Sequence, residues 1–519
     1  MNDDYKLNSI GNWLSSYLKS PGFDVKVSKE KAINVAGVGS VVSSAYEQLR
    51  NAAEYSQEHL LIQDAIRRFF NRNLFIVEKP SVNKTLAEEL IVELTQSGYL
   101  KNRSQPVSRV EDLQKIIENY FSLYQKLKST NLDNKTAKNW ILDLMSIGCE
   151  DLFVDNRRQS AYVQFAYKYY LNSLNKESFM DAGQDSSGFE ASLYIAVHQS
   201  LANSDLAFVR YDMNDLYKVS PSDGKGFIKF NKNLDSLYYS ELTKRLARYI
   251  NKYGAPLRVM KGLVKSKDIA EDLKNRDKFK KVYQDQIKRE YKQARNKLNN
   301  GLLKSIAFLL ITKSLIGLAI EVPYDLLVSG EIEYVPLFIN LFTPVVYLVI
   351  LRFGIKIPGK ANTKALWLYM DEALYSDNNT NLYPFVKDKK YPVGFKIAYG
   401  LMFIIVFGLS ISVLVRLNFD LVQGVIFFTF LAAASFLGFR LSRIAKELEL
   451  VTERQGTLAF LRDFFFMPFT FLGKWISDNY QKVNVVALVL DTFIELPLKT
   501  VLRLSRQWVG FIDDKKEEL

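Results

Sequence analysis

The chain has 519 residues, 48% of them hydrophobic and 24% charged, with a formal net charge of +13. One cysteine, Cys149, excludes an intramolecular disulfide and any multi-cysteine zinc or iron–sulfur site, and two histidines, His59 and His198, exclude a histidine-rich metal centre. A mean hydropathy near zero, −0.07, in a chain of this size reflects a polar half averaged with a strongly apolar one.

The N-terminus, MNDDYKLNSIGNWL, lacks a basic region followed by an apolar core. No cleavable secretory signal is therefore expected, and the N-terminal part is read as cytoplasmic. Residues 1–50 carry no decisive periodicity. The Gly/Val/Ser stretch Val35–Ser44 fits a short helix, a strand or a flexible segment, and Gly37-Val38-Gly39 is too short for a dinucleotide fingerprint.

From about residue 54 the pattern turns helical. Leu61, Ala65, Ile66, Phe69 and Phe70 gather on one face, Leu86, Leu90 and Leu94 on another, and Leu113, Ile116, Ile117, Tyr120, Phe121 and Tyr124 on a third that opens at Ser108 as an N-cap. Asn139–Phe153 and Gln159–Leu174 continue the series. Polar breaks at Asp181–Gly188 and Ser220–Gly226 bracket a further helical region with Leu193, Ile195, Leu206 and Val209. Residues 1–255 are expected to form a cytoplasmic helical domain whose stripes are core. His59 and His198 are read as helix residues packed in it, not as catalysts.

Residues 244–297 hold 18 Lys and Arg against six Asp and Glu, so nearly all the net charge falls in one stretch. The periodicity over 256–300 predicts one long cationic helix with a narrow apolar stripe through Ile269, Leu273, Val282, Tyr283, Ile287, Tyr291, Ala294 and Leu298. Lys280, Lys281, Lys288, Arg289, Lys292, Arg295 and Lys297 are its candidates for contact with anionic lipid, each contributing on the order of 1 kcal/mol near a charged surface. The adjoining apolar spans and the few interleaved aromatics argue against nucleic acid as the polyanion.

Four apolar segments follow, at about Leu302–Ile320, Val335–Leu351, Val393–Val415 and Leu421–Gly438, each near the length that crosses a bilayer as a helix. Glu321, Asp325, Glu331 and Glu333 lie between the first two without a Lys or Arg, whereas Arg352, Lys356, Lys360 and Lys364 follow the second and Arg440, Arg443 and Lys446 the fourth. That contrast puts an acidic loop outside and both termini in the cytoplasm. The pairs Gly408/Ser412 and Ala434/Gly438 allow close helix approach.

Beyond residue 455, Phe464–Gly473 is short and interrupted by Pro468. Val485–Leu504 places Asp491, Glu495, Lys499 and Arg503 along one stripe, as an in-plane interfacial helix would, with a crossing packed inside a bundle as the alternative. The expected architecture is an all-α integral membrane protein: a cytoplasmic domain (1–255), a basic juxtamembrane helix (256–300), two transmembrane hairpins (301–352 and 393–440) around a cytosolic linker (353–392), and a C-terminal amphipathic region (441–519).

Lys313, near the middle of the first span, must face protein or water, because an ammonium facing lipid costs about 2.5–3.5 kcal/mol on insertion scales. Glu321, two turns on, is read either as its partner or as the mark of the outer end of the span, and Lys304 as snorkelling to the inner surface. Asp491 and Glu495 are a second candidate pair for a cation or proton. No nucleophile elbow, phosphate loop, HExxH or kinase signature occurs, so neither an enzyme nor a cofactor is expected. The leading expectation is a membrane-anchored interaction or scaffold protein holding its helical domain at the inner surface for a protein or lipid partner. The alternative is a small ion or solute transporter lined by Lys313, Glu321, Asp491 and Glu495, and a lipid-modifying enzyme comes third.

Overall fold

A computed structural model describes residues 6–19, 60–76, 84–154, 156–180, 188–220, 223–266, 268–328, 330–376, 392–451 and 457–482, with the short stretches or single positions 32–35, 43, 44, 47, 501, 504, 508 and 512. The protein is all-helical: among the described residues helix makes up 83% and no strand occurs. The helices are α1 (Ser9–Leu18), α2 (Leu61–Phe70), α3 (Lys84–Gln96), α4 (Ser108–Lys128), α5 (Asn134–Glu150), α6 (Arg157–Ser173), α7 (Lys176–Phe179), α8 (Phe189–Val197), α9 (Leu206–Leu216), α10 (Gly224–Tyr238), α11 (Glu241–Tyr253), α12 (Ala255–Val264), α13 (Ile269–Asp272), α14 (Arg276–Ile316), α15 (Val322–Val328), α16 (Tyr334–Gly354), α17 (Lys360–Tyr375), α18 (Val393–Arg416), α19 (Leu421–Lys446) and α20 (Thr457–Lys482). Single π turns cover Asn71–Ile76, His198–Ala202 and Gly317–Glu321.

Two compact units share the chain, one made of residues 17–167, 182–247 and 484–519, the other of residues 1–16, 168–181 and 248–483. The first has its own core, in which the predicted stripes meet. Ala65, Ile66, Phe69 and Phe70 of α2 join Leu86, Leu90 and Leu94 of α3, Leu113 and Ile117 of α4, and Trp140, Ile141, Leu144 and Met145 of α5. Two boundaries differ from the sequence reading. Ser108 is the first helical residue of α4 and Val107 its N-cap, and α5 opens at Asn134, well before Asn139, because the Asp133 carboxylate caps it by accepting the Thr136 amide at 3.0 Å.

In the second unit, where the pattern predicts one helix over 256–300, the chain forms α12, α13 and the start of α14. Asn275 resets the backbone there, its side chain accepting the Lys278 N–H at 2.9 Å as the N-cap of α14. From Arg276 the helix runs through the π turn to Val328, 53 residues without a break. Its apolar stripe is not a free lipid-facing edge, since Phe279, Tyr283, Ile287, Ala294 and Leu298 are buried, with Tyr283 donating to the Pro256 carbonyl of α12 at 2.9 Å. The expected linker 353–392 contributes a docked helix, α17. Its Trp367 lies against Phe279 and Tyr283, its Asp371 pairs with Arg276 at 2.6 Å, and its Tyr375 hydroxyl donates to the Leu273 carbonyl at 2.8 Å. Asn362 ties it to the chain after α19: Nδ2 donates to the Leu448 carbonyl at 2.8 Å and to the Tyr291 hydroxyl at 2.9 Å, while Oδ1 accepts from Leu450 and Val451 N–H.

Among the described residues, four helices are long and apolar enough to cross a membrane: Arg276–Val328, α16, α18 and α19. Helix α19 packs against α14, α16 and α20. Ala434 and Gly438 are buried in that packing, with the Gly438 backbone against Leu351, whereas Gly408 and Ser412 are exposed and Gly408 meets nothing. Helix α20 corrects the short interrupted segment expected over 464–473. It continues through Pro468 for 26 residues, and its buried Phe469 lies against Phe407 of α18 and stacks on Phe428 of α19. Proline is tolerated inside a helix when packed neighbours hold its flanks, as they do here. The polarity of this bundle is inverted: Leu303, Phe308, Ile311, Leu315 and Leu318 are exposed, while Lys313, Glu321 and Asp325 on the same rod face inward.

Candidate functional site

The inward face of the rod is set by its sequence. Lys313, Gly317, Glu321 and Asp325 recur every fourth residue, and a regular α-helix would let that series drift about 40° per step. The π turn Gly317–Glu321 falls inside the series, adds a residue to one turn, and keeps all four on the buried side. Lys313 is 2% exposed, Glu321 and Asp325 1% each, Asn340 0% and Gln423 1%.

Lys313 Nζ forms a salt bridge with Glu321 Oε1 and sits 4.8 Å from the centre of the Phe430 ring. The same carboxylate oxygen accepts from Asn340 Nδ2 of α16 at 3.3 Å, and that amide also donates to the Gln423 carbonyl at 3.2 Å. Gln423 is positioned by a capping box at the start of α19: its N–H donates to Asp420 at 2.8 Å and its Oε1 accepts the Asp420 N–H at 3.2 Å. Its Nε2 is thereby free to donate to Asp325 Oδ1 at 2.9 Å and to Glu333 Oε2 at 3.4 Å, while Asp325 Oδ2 accepts the Glu333 N–H at 3.2 Å. Glu321 Oε2 and Asn340 Oδ1 are buried without a hydrogen-bond partner.

The bundle thus has two chemically different ends. Asp325, Glu333 and Asp420 meet at one. At the other, Arg352 donates to Asn299 at 2.8 Å, Gly301 abuts Leu441, and Arg462 abuts Gly354. The expectation of an acidic loop from Glu321 onward is corrected, because Glu321 and Asp325 are helical and buried, leaving Glu331 and Glu333 in the connection. Lys304 is exposed on α14, as are all seven basic candidates, Lys280, Lys281, Lys288, Arg289, Lys292, Arg295 and Lys297. Asp491 and Glu495 lie outside the described residues, as do His59 and, apart from Val501 and Leu504, the helix expected over 485–504. Asn340 and Gln423 went unread because sequence reasoning weighed only ionisable groups within apolar spans. A lone amide in such a span was the available signal.

The other unit holds two buried polar clusters. Arg210, fully buried, donates to Asp143 at 3.0 Å, to Asn231 at 2.8 Å and to Asp235 at 2.5 Å, and Arg67 bridges to Asp143 from α2. His198 lies in a π turn with Nδ1 3.1 Å from Ser204 Oγ and Nε2 3.0 Å from Asp212, whose carboxylate also accepts from the Tyr194 hydroxyl. Burial pushes the Asp212 carboxyl up, but the hydrogen bond and charge of His198, helped by Tyr194, bring it below its ordinary value. Nucleophilic catalysis needs a serine open to substrate, and here His198 and Ser204 are both buried. Cys149 is sealed as well, its thiol pushed up by burial away from the reactive thiolate.

These features define an all-helical protein with four helices long and apolar enough to cross a membrane and a buried polar network among them. No family model, curated protein or solved structure matches the chain.

Proposed function

We propose that this chain is a multi-pass membrane protein that anchors a helical interaction domain at the inner membrane surface. The inverted polarity of the bundle carries the reading: large apolar side chains such as Leu318, Phe338, Ile404 and Leu421 face outward, and the charges face inward, as a lipid solvent requires. The seven exposed basic residues on the proximal part of α14 support contact with anionic headgroups and a cytoplasmic basic end. The unit built from residues 17–167 and 182–247 has a core of its own, which suits a domain that binds a partner and acts non-enzymatically. The test is photo-crosslinking in intact cells from positions exposed on that unit, Val107, Tyr217 and Tyr239, with the full chain in its membrane. A discrete protein or lipid adduct from some positions and not others supports the reading; equal, diffuse labelling from all three counts against it.

A second reading, a conduit for ions or small solutes, is favoured by one observation, the Lys313–Glu321–Asn340 cluster inside the bundle. Flux through proteoliposomes that changes on Lys313→Ala supports it.

A further inference from the structure

We propose that Lys292, Arg295 and Arg352 form a lipid-headgroup site at the inner end of the bundle, selective for a phosphomonoester headgroup over one of single net charge.

The site rests on the membrane reading above and gives it a particular lipid. Exposed Leu303 of α14 and Phe353 of α16 mark where the apolar outer surface of the two helices begins. Arg352 stands at that edge, half-buried, with Nε and Nη2 donating to Asn299 Oδ1 of α14 at 3.0 and 2.8 Å. The amide fixes the guanidinium in place, and being neutral it leaves the positive charge uncancelled. Lys292, Arg295 and Asn299 follow one another at three and four residues, so they share a face of α14. That face is turned away from the buried Tyr283, Ile287 and Ala294 and is exposed. Along the helix Arg295 stands about 6 Å, and Lys292 about 10 Å, beyond Asn299. A headgroup layer is about 5–7 Å deep on each side of a bilayer, so both side chains reach into it.

The acids around this face are engaged elsewhere. Asp285, two turns beyond Lys292, pairs with Lys288 at 2.8 Å. Glu290, on the packed side of the helix, accepts from Gln286 at 2.7 Å, and Asp463 pairs with Arg462 at 2.7 Å. Among the described residues no carboxylate pairs with Lys292, Arg295 or Arg352. Leu441 against Gly301 sets Arg440, Arg443 and Lys446 of α19 at the same end, which adds positive potential. Basic side chains converging between spans on the cytoplasmic side suit phosphorylated headgroups. The arginine fork matches two phosphate oxygens at once, and a lysine adds a point charge. A phosphomonoester carries a charge of about −1.5 to −2 near neutral pH, whereas a phosphodiester carries one, so three gathered cations favour the monoester.

The test is native mass spectrometry of the full-length protein released from phosphatidylcholine nanodiscs that carry equal minor amounts of phosphatidic acid and phosphatidylserine. The parent is expected to retain phosphatidic acid in preference to phosphatidylserine. That retention should fall about fivefold in Arg295→Gln and in Arg352→Gln, and about twenty-five-fold in the double variant, as the contribution of each basic residue near a charged surface implies. Lys304→Gln removes an exposed cation turned about 140° around the rod from Asn299 and should keep the parent's preference. Equal retention of the two lipids by the parent overturns the proposal, whether or not the variants fold. An equal loss in Lys304→Gln overturns it too, in favour of general attraction to an anionic surface. Removal of the phosphatidic acid by water-soluble glycerol phosphate at matched concentration overturns the lipid as ligand in favour of a free phosphate. A parent that alkaline carbonate extracts from membranes defeats the membrane reading and the site with it, whereas a parent held in the bilayer without lipid preference defeats the site alone.

Discussion

Asn340 holds Glu321 from α16: one side-chain nitrogen donates to Glu321 Oε1 at 3.3 Å and to the Gln423 carbonyl at 3.2 Å. Replacing it with leucine keeps the branched outline and removes the donor, leaving a buried carboxylate oxygen and a carbonyl with fewer partners. Asn340→Leu is expected to lower stability by about 1–3 kcal/mol. Thermal unfolding of the detergent-solubilised protein checks this, and an unchanged midpoint would show the amide to be dispensable.

Lys313 and Glu321 should behave as a unit. Lys313→Met alone strands a buried carboxylate and is expected to cost about 3–5 kcal/mol, whereas Lys313→Met with Glu321→Gln recovers most of that loss. A double-mutant cycle measures the coupling. Independent, additive effects would mean that the salt bridge contributes little.

A lone cysteine at position 313, in a Cys149→Ser background, should resist a membrane-impermeant maleimide from both sides, because Lys313 is 2% exposed. Rapid labelling would reveal water at that depth and shift weight to the conduit reading.

Gly473 lies so close to α19 that a Cβ there would stand 2.2 Å from the Ala432 carbonyl oxygen and 2.8 Å from Phe436 Cβ. The obstacle is backbone, which cannot swing aside. Gly473→Ala is expected to destabilise the bundle by at least 1–3 kcal/mol, roughly the range for overpacking, while Gly408→Ala, with open space around it, is neutral. Protease resistance of α20 distinguishes the two.

Glu150 gives a pH dependence with a definite sign. Burial, then the charges of Asp151, Asp205 and Asp64, push its carboxyl up from 4.5 to about 8. Between those two values the folded protein binds a proton that the unfolded chain has released, so this group's contribution to stability is full below pH 4.5 and falls as pH rises through 8, by at most about 1.4 kcal/mol per unit. Denaturant melts of Glu150→Gln should lose this slope and be more stable than the parent at alkaline pH.

Much of this architecture can be read from residue order, and the exceptions have physical causes. Lys313 and Glu321 were legible as partners because a charge in an apolar run must find an opposite charge. Asp325 read as a loop residue because apolar length alone ended the span at Ile320, whereas the π turn carries the helix to Val328. Helix α17 lay in a segment read only as a linker between spans, although its buried positions, Asn362, Leu366, Tyr369, Met370 and Ala373, fall on one side of a helix, which docks through Trp367 on Phe279 and Tyr283. Helix α20 was hidden by Pro468, whose cost is offset by neighbours far away in sequence.

The π turn at Gly317–Glu321 has a bearing on how this chain tolerates change. It acts as a phase adjuster between two stretches of helix, matching the side that Lys313 presents to the side that Asp325 presents. Substitutions on the outward face, at Leu315, Leu318 or Ile320, exchange one apolar surface for another. Adding a single residue between 313 and 321, beyond the one the π turn already takes up, instead swings everything downstream by about 100°, turning both carboxylates outward. The stretch is therefore permissive in spelling and strict in length.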